Sequence, residues 1–329
     1  MTGGSWRAWH AEAMPIRLGV SSCLLGEEVR FDGGHKRDRF VVEQLGRWVE
    51  WVAVCPEVDI GLGVPRPTIR LVQKAGEPGV RLVAPSTGDD VTSRMRGYAK
   101  AKVEALRALG LDGYVLKKGS PSCGMARLPV YRKDGLLHTR GVGLFAEALA
   151  AQWPALPLEE DGRLNDPRLR ETFIERLFCR NRWRVLVARG LSRRRLVAFH
   201  SAHKLVVRAH NEAGYRRLGR IVASGGHLPD AELYRQYESE LQLSLRTPAS
   251  TKKHTNVLQH AMGYLTSVLE PQERRELGLA IEDFRRGLVP LAVPVTLIRF
   301  NVHRHGIDYL AEQLYFEPHP KELMLRNHV

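Results

Sequence analysis

Hydrophobic and polar positions follow two alternating patterns over the first 160 residues. Short apolar runs with the composition of buried strands alternate with longer stretches in which apolar residues recur at helical spacing. The strand-like runs are IRLGVS (16–21), WVAVC (51–55) and the beginning of DGYVLKKG (112–119), with IRLVQK and VRLVAP forming a hairpin pattern around Gly76 to Gly79. The helical stretches are 37–50 and 91–110. Strands joined by helices predict an α/β domain with a parallel, Rossmann-like open sheet.

The second half of the chain shows the helical pattern alone. Asn165, Asp166 and Pro167 provide a helix N-cap followed by proline in the first turn, and this stretch closes at Gly190. Further helical stretches are 192–226, 229–246, 247–269, 271–287 and 293–316. The pattern predicts an all-α helical domain of the bundle type. The expected domains are therefore 16–158 and 159–329, and residues 1–15 are expected to form a loose N-terminal extension.

Length and composition narrow the class of protein. A chain of 329 residues exceeds the size of one typical core, and 43% hydrophobic with 26% charged residues is typical of a globular protein. No stretch approaches the ~20 apolar residues that span a bilayer. The first 15 residues contain Trp6, Arg7 and Glu12 and lack the apolar segment of a secretory signal. We therefore expect a cytoplasmic protein without a membrane partner, in which cysteines bind metal or take part in catalysis rather than form disulfides.

Three of the four cysteines occupy equivalent places in the predicted sheet. Cys23, Cys55 and Cys123 each fall at or just past the end of a strand-like run, whereas Cys179 lies within a helical stretch. Scattered cysteines are ordinarily buried core thiols, but core thiols would not be expected to share this position. Open α/β sheets bind ligands beyond the carboxyl ends of their strands. The pattern predicts a three-thiolate metal site with one open position, and either zinc or an iron–sulfur cubane satisfies it.

Polar residues adjoin these cysteines. Glu57 follows Cys55 by two residues, and Ser120 and Ser122 precede Cys123 in the segment KKGSPSCG. A loop carboxylate is usually solvated and a loop serine usually caps its own turn. Beside a metal, the same groups become candidates for proton transfer and for hydrogen bonding to a substrate.

The segments VSSCLLG, VCPEVDIGLGVPRPTIRL and KKGSPSCG resemble the three signature segments of the thiouracil desulfurase family. The resemblance implies that Cys23, Cys55 and Cys123 hold a [4Fe-4S] cluster whose unique iron binds the sulfur of a thiocarbonyl substrate. It also implies that Glu57 is the catalytic carboxylate and Ser120 the catalytic serine. Ser122 is the alternative serine. Cys179 lies outside the family pattern and is interpreted as a packed thiol.

The second half extends the resemblance. HKLVVRAHNEAGYRRLGRIVA and KKHTNVLQHAMGYL are similar to a helical domain that often follows a desulfurase domain. The combination resembles bacterial desulfidases that convert 4-thiouridine in transfer RNA back to uridine. The resemblance implies a tRNA partner, and no protein partner is inferred. The histidines of these segments are interpreted as core or RNA-contacting residues, because His254 and His260 are not at metal-ligand spacing.

Charge agrees with a nucleic-acid partner. The net charge is +14, and residues 163–220 contain 16 Lys and Arg against 4 Asp and Glu. A solvated helix face is the ordinary explanation of such a run, and a membrane surface is the other alternative. However, acidic partners at i,i+4 spacing are largely missing, and unbalanced positive charge favours a polyanion. The predicted RNA-binding residues are Arg180, Arg182, Arg184, Arg193, Arg194, Arg195, Lys204 and Arg208.

The resulting hypothesis is non-redox hydrolysis of 4-thiouridine in tRNA by an iron–sulfur desulfidase. Three alternatives stay open: desulfuration of free thiobases such as thiouracil, a non-enzymatic iron–sulfur sensor that binds nucleic acid, and the reverse reaction of tRNA thiolation. The last would require a phosphate-binding loop for ATP, and the sequence contains no G-x-x-x-x-G-K-[ST] motif.

Overall fold

The computed structural model describes residues 14–74, 76, 79–132 and 135–329. Its contacts divide the chain into two compact units. One is Pro15–Asn165, here the sheet unit, and the other is Asp166–Val329 with Met14, here the helical unit. The predicted loose extension at 1–15 lies, apart from its last two residues, outside the described residues.

Eight described strands form two sheets in the sheet unit. In chain order they are β1 (Ile16–Ser21), β2 (Val49–Val54), β3 (Arg70–Val72), β4 (Arg81–Val83), β5 (Gly113–Leu116), β6 (Leu128–Arg132), β7 (Gly135–Gly141) and β8 (Leu158–Glu160). The first sheet has the order β2-β1-β5-β8, and all of its pairs are parallel. The predicted α/β fold with a parallel sheet is therefore confirmed. Because β8 completes this sheet, the sheet unit continues beyond residue 158.

Three α-helices accompany the strands: α1 (Pro56–Asp59), α2 (Thr92–Ala108) and α3 (Leu144–Gln152). Met95, Ala99 and Val103 form the buried stripe of α2 at helical spacing. Tyr114 of β5 is fully buried and packs edge-on against Phe145, with 5.8 Å between ring centroids.

Gly19 permits the close packing of β1 against β5. A Cβ atom at Gly19 would lie 2.1 Å from the ring of Tyr114. Only glycine therefore lets this aromatic ring lie directly over the neighbouring strand.

Two details of the sheet unit differ from the sequence pattern. The predicted hairpin is present as antiparallel β3 and β4, but β6, β7 and β8 were not predicted. The helix predicted at 37–50 is only a π-turn at Phe40–Gln44 followed by a 3₁₀ turn at Leu45–Arg47. Residues Val49 to Trp51 instead pair with Ile16 to Leu18, so strand pairing overrides the local helical spacing.

The helical unit contains the remaining eight α-helices among the described residues. They are α4 (Pro167–Ala188), α5 (Arg193–His210), α6 (Glu212–Ser224), α7 (Asp230–Ser244), α8 (Thr251–Leu265), α9 (Pro271–Arg285), α10 (Ala292–His305) and α11 (Asp308–Ala311). The predicted stretch 192–226 divides at Asn211, whose extended backbone and side-chain acceptor for the Gly214 N–H start α6. Within the described part of the chain, no helix has both the length and the apolarity needed to cross a bilayer.

A buried polar network lies in the helical unit. The Arg326 guanidinium donates to Glu171 and to Glu175, each at 2.9 Å, and His210 Nε2 lies 2.7 Å from the other oxygen of Glu175. His254 Nδ1 contacts the Tyr315 hydroxyl at 2.9 Å. Burial, and then the neighbouring Glu175, raises the pKa of Glu171 from 4.5 to about 7. These histidines are core residues, one of the two roles expected for them.

Candidate active site

Four parallel strands bring polar residues to one edge of the first sheet. Cys55 directly follows β2, Cys23 lies two residues beyond β1, Lys117 directly follows β5 and Asp161 directly follows β8. Paired β1 and β2 end at the same level, with Ser21 opposite Val54. This edge, formed by the carboxyl ends of β2, β1, β5 and β8, is here called the rim.

A cavity of about 270 Å³ opens at the rim. Its wall includes Cys23, Cys55 and Cys123, here the rim cysteines, together with Glu57 and Ser120. The structure thus brings the three predicted ligands and both predicted catalytic residues to one cavity. Cys179 is fully buried in the core of the helical unit.

The chemistry of the rim cysteines suits an iron–sulfur group. All four cysteines lie in the described part of the chain and are free thiols. Three thiol donors around one cavity are the ligand type that such clusters use. Among the described residues, no three His, Cys, Asp or Glu side chains converge closely enough to hold a single metal ion.

Burial favours the protonated form of the rim thiols. Burial, followed by the nearby Cys55, raises the pKa of Cys23 from 9.0 to about 11. Burial also raises the pKa of Cys55 and raises that of Cys123 well above its ordinary range. A metal group binds thiolates, so loading must release these protons.

The loop that carries Cys123 is fixed by the start of α3. The N–H groups of Phe145 and Ala146 donate to the Ser122 carbonyl at 3.0 and 3.2 Å, which satisfies donors that a helix N-terminus otherwise leaves unpaired. Gly143 lies against the same carbonyl, and a Cβ atom there would be 2.4 Å from it. The position of Ser122 and Cys123 therefore depends on a glycine 20 residues later.

Glu57 is held at both carboxylate oxygens. Arg66 donates to Oε2 from Nε at 3.1 Å and from Nη2 at 2.7 Å. Ser122 donates to Oε1 at 2.9 Å, and Ser120 donates to the same oxygen at 3.3 Å. Oε1 thus faces both serines of the SPSC segment, and Oε2 faces a buried cation.

The two serines differ in their access to the cavity. Ser120 lines it, whereas Ser122 is 0% exposed and does not. Ser120 Oγ accepts the N–H groups of Ser122 and Cys123 at 3.2 and 3.1 Å, so its own hydrogen is left to point at Glu57. This geometry favours Ser120 as the serine that meets a ligand and Ser122 as a support for Glu57.

Arg66 is a site residue that the sequence analysis missed. Besides Glu57, its guanidinium donates to the carbonyls of Gly63 and Val29, each at 2.9 Å. The available signal was an arginine between two prolines in the VPRPT segment, three residues after Gly63. Its partner Val29 lies 37 residues away in the sequence, which no local pattern could indicate.

Two of the predicted RNA-binding arginines are not on the surface. Arg182 is 3% exposed, and its guanidinium donates to His203 Nε2 at 3.2 Å and to the Pro318 carbonyl at 2.9 Å. Arg180 is buried and donates to Glu238 at 3.0 Å. Their prediction as phosphate contacts needs correction, because buried guanidinium groups with internal partners cannot also meet a polyanion.

The other predicted basic residues are partly or fully exposed. Arg193 pairs with Asp230, Arg208 pairs with Glu212, and Arg195 donates to the carbonyls of Arg189 and Gly190 at the end of α4. Arg184, Arg194 and Lys204 are also accessible. The acidic partners that the local sequence lacked are therefore supplied in part from α7. The helical unit from residue 166 onward nevertheless keeps 27 Lys and Arg against 17 Asp and Glu.

Two protein-family models match the chain, one in each half. The model described as 2-thiouracil desulfurase matches residues 18–161. The model described as a protein of unknown function, DUF1722, matches residues 204–320. The first match contains the rim cysteines and Glu57, and the second falls within the helical unit.

Relatives and a solved structure are similar to parts of the chain. Uncharacterized protein YbgA of Escherichia coli (strain K12) is 33% identical over 165 residues, which is 50% of this chain and 98% of that protein. Uncharacterized protein YbbK of Bacillus subtilis (strain 168) is 34% identical over 109 residues, which is 32% of this chain and 71% of that protein. The solved structure of the [4Fe-4S]-dependent thiouracil desulfidase TudS is 31% identical and covers 46% of this chain and 93% of its own, with a TM-score of 0.37.

Proposed function

Because the chain belongs to the 2-thiouracil desulfurase family, we propose that it is a desulfidase that removes sulfur from 4-thiouridine in tRNA. Water supplies the oxygen of the product uridine, and the sulfur leaves with both protons of that water as hydrogen sulfide. The observation that carries the proposal is the cavity at the rim, where three free thiols, Glu57 and Ser120 share one wall. The assignment of tRNA, rather than a free thiobase, as the substrate rests on the helical unit and its charge.

Cys23, Cys55 and Cys123 would hold a [4Fe-4S] cluster in this cavity, with no protein ligand for the fourth iron. When bound, the cluster supplies a Lewis-acidic iron that polarises the carbon–sulfur bond of a thiocarbonyl and makes sulfur a better leaving group. A reducing cytoplasm is the compartment that keeps such thiols free, and we propose it as the location.

Glu57 and Ser120 move the protons of the reaction. Glu57 lines the cavity, and its Oε1 lies 3.3 Å from Ser120 Oγ. In our proposal Glu57 removes a proton from the attacking water, either directly or through Ser120. Arg66 donates twice to Oε2 and so keeps the carboxylate turned with Oε1 towards the serines.

A basic helical unit supports tRNA as the substrate. An excess of 10 positive charges from residue 166 onward favours a polyanionic partner, and the base must leave its stack to reach a cavity of this size. Arg194 and Arg220 are exposed and are suited to phosphate contacts. Arg193, Arg195 and Arg208, which are also accessible, would combine such a role with an internal contact.

The test is anaerobic incubation of purified protein with thiolated tRNA, followed by nucleoside analysis. Wild-type protein should carry about four irons, the cubane stoichiometry, and convert 4-thiouridine to uridine with release of sulfide. Serine replacement of any rim cysteine should lose most of the iron, whereas Cys179→Ala should keep it. Full iron content in Cys123→Ser would contradict the ligand assignment. Binding of tRNA without turnover would instead support the sensor alternative.

The tRNA assignment has its own test. The double variant Arg194→Ala, Arg220→Ala should weaken tRNA binding and reduce the salt dependence of affinity. The reason is that binding releases fewer counterions when the protein contacts fewer phosphates. Arg285→Ala is the matched control, since this exposed arginine is paired with Glu282. Unchanged affinity and salt slope in the double variant would count against these contacts.

Free thiouracil is the second candidate substrate. The family description and the small volume of the cavity both suit a free base. Comparison of kcat/KM for 2-thiouracil and for thiolated tRNA decides between them. Preference for the free base would make the nucleic-acid assignment wrong and leave the desulfidase assignment intact.

A further inference from the structure

Phe31 is an exposed aromatic residue at the mouth of the cavity. Its side chain is 39% exposed, whereas Phe40 and Phe145 of the same unit are buried. Among the described residues that line the cavity, it is the only aromatic one. Its position in the cavity wall, rather than its exposure alone, favours a binding role, because ligand pockets are commonly lined by aromatic side chains.

The loop that carries Phe31 is held by its own backbone. The Arg30 N–H donates to the Gly34 carbonyl at 3.2 Å, and the Gly33 N–H donates to the Arg30 carbonyl at 3.0 Å. Gly33 has φ of +75°, a conformation that favours glycine and closes this turn. The Gly34 N–H also donates to the Asp32 side chain at 3.1 Å. The loop is thus a closed turn that presents the ring at a fixed place.

Arg66 connects this loop to the carboxylate of the site. Its backbone N–H donates to the Phe31 carbonyl at 2.9 Å, and its guanidinium donates to the Val29 carbonyl at 2.9 Å and to Glu57 at 2.7 Å. The Arg30 guanidinium lies 5.3 Å from the centroid of the Phe31 ring and supports one side of it. The ring and the proton acceptor are therefore positioned by the same residue.

We propose that Phe31 is the platform on which the thiopyrimidine base stacks when it enters the cavity, an inference that rests on the proposed desulfidase function. A thiopyrimidine ring is planar, and an aromatic face binds any base by stacking without reading its edges. Such a platform fixes the plane of the base and leaves its sulfur-bearing edge free for the rim. Such a platform binds a free thiobase and the base of an extruded nucleotide in the same way.

The experiment compares Phe31→Ala, Phe31→Leu and Phe31→Tyr in the cluster-loaded protein. Loss of the ring should raise KM by about tenfold or more for both 2-thiouracil and thiolated tRNA, the range expected for one lost stacking contact. Tyrosine should restore KM, and leucine should not, because it keeps apolar area without a π face. Phe300→Ala is the matched control: it removes an exposed phenyl ring that does not line the cavity.

Two readouts besides activity keep the outcomes distinct. Iron content should be unchanged in every Phe31 variant, and the Kd for uridine 5′-monophosphate, measured by calorimetry, should rise in parallel with KM. Wild-type KM in both Phe31→Ala and Phe31→Leu would overturn the platform. A raised KM for tRNA together with a normal KM for free thiouracil would also overturn the platform, since the ring would then contact neighbouring RNA rather than the reacting base. Inactivity of wild-type protein on every thiopyrimidine would instead refute the proposed function.

Discussion

Replacement of Arg66 by methionine tests the buried ion pair that positions Glu57. The two side chains are 3% and 14% exposed, so water can replace little of what the guanidinium provides. Methionine keeps most of the volume but removes two hydrogen bonds to Glu57 and those to the Gly63 and Val29 carbonyls. Glu57 would retain only its two serine donors.

The expected loss of unfolding free energy is about 3 kcal/mol, the lower end for breaking a buried pair, because Glu57 keeps part of its solvation and both serines. Arg66→Lys should lose about 1–2 kcal/mol, since a single ammonium cannot reproduce the planar donor geometry. In a double-mutant cycle with Glu57→Gln, the two effects should fall short of additivity by about 1 kcal/mol or more.

Hydrogen exchange of peptides from β1 and β5 measures these losses within the sheet unit, independently of the helical unit. Arg81→Met is the control, because its ion pair with Asp90 is about one-third exposed on both sides and should contribute less than about 1 kcal/mol. If Arg66→Met costs no more than this control, or if the cycle is additive, the pair does not hold Glu57 as argued.

Three further outcomes are expected. Gly143→Ala should displace the Ser122 carbonyl from the start of α3 and reduce both iron retention and kcat. Gly97→Ala is the control and should leave both unchanged, because a Cβ atom at Gly97 would meet no atom within 4 Å. Equal effects of the two variants on iron content would refute this packing argument. Ser120→Ala should lower kcat with the iron content intact, while Ser122→Ala should lower it less, and the reverse order would exchange their roles. The pKa of Glu171 is raised from 4.5 to about 7, so between these values its own contribution to the unfolding free energy falls as pH rises, and it opposes the gain from His200 and His254, whose pKa values burial lowers. Glu171→Gln should therefore make the unfolding free energy rise more steeply with pH in urea titrations, and an unchanged slope would show that Glu171 does not contribute to the pH dependence.

Local patterns were sufficient for the elements that bury one continuous face. β1 was predicted at its observed bounds, and α2 was predicted to within two residues at each end. In contrast, β8 has the sequence LEE and owes its strand state to pairing with Tyr114 to Leu116 of β5. Such a strand has no hydrophobic period of its own, so only the assembled sheet reveals it.

The site shows the same division. The ends of β1 and β2 could be read from the sequence, and they predict that Cys23 and Cys55 lie on one edge of the sheet. The hydrogen bonds that hold Glu57 could not be predicted, since Arg66 lies nine residues and Ser122 lies 65 residues from Glu57 in the sequence. The same holds for Arg182, whose burial depends on His203 and Pro318 from distant parts of the chain.

The distribution of the rim cysteines over three strands would give a cluster bound there a second use, as an indicator of whether the sheet is folded. Cys55, Cys23 and Cys123 follow β2, β1 and β5, so separation of any of these strands would remove one of the three proposed ligands. A ligand set assembled only by the folded chain links metal occupancy to folding. Loss of the visible absorbance of a bound iron–sulfur cluster during denaturation would therefore report the opening of the parallel sheet, without any added dye or label.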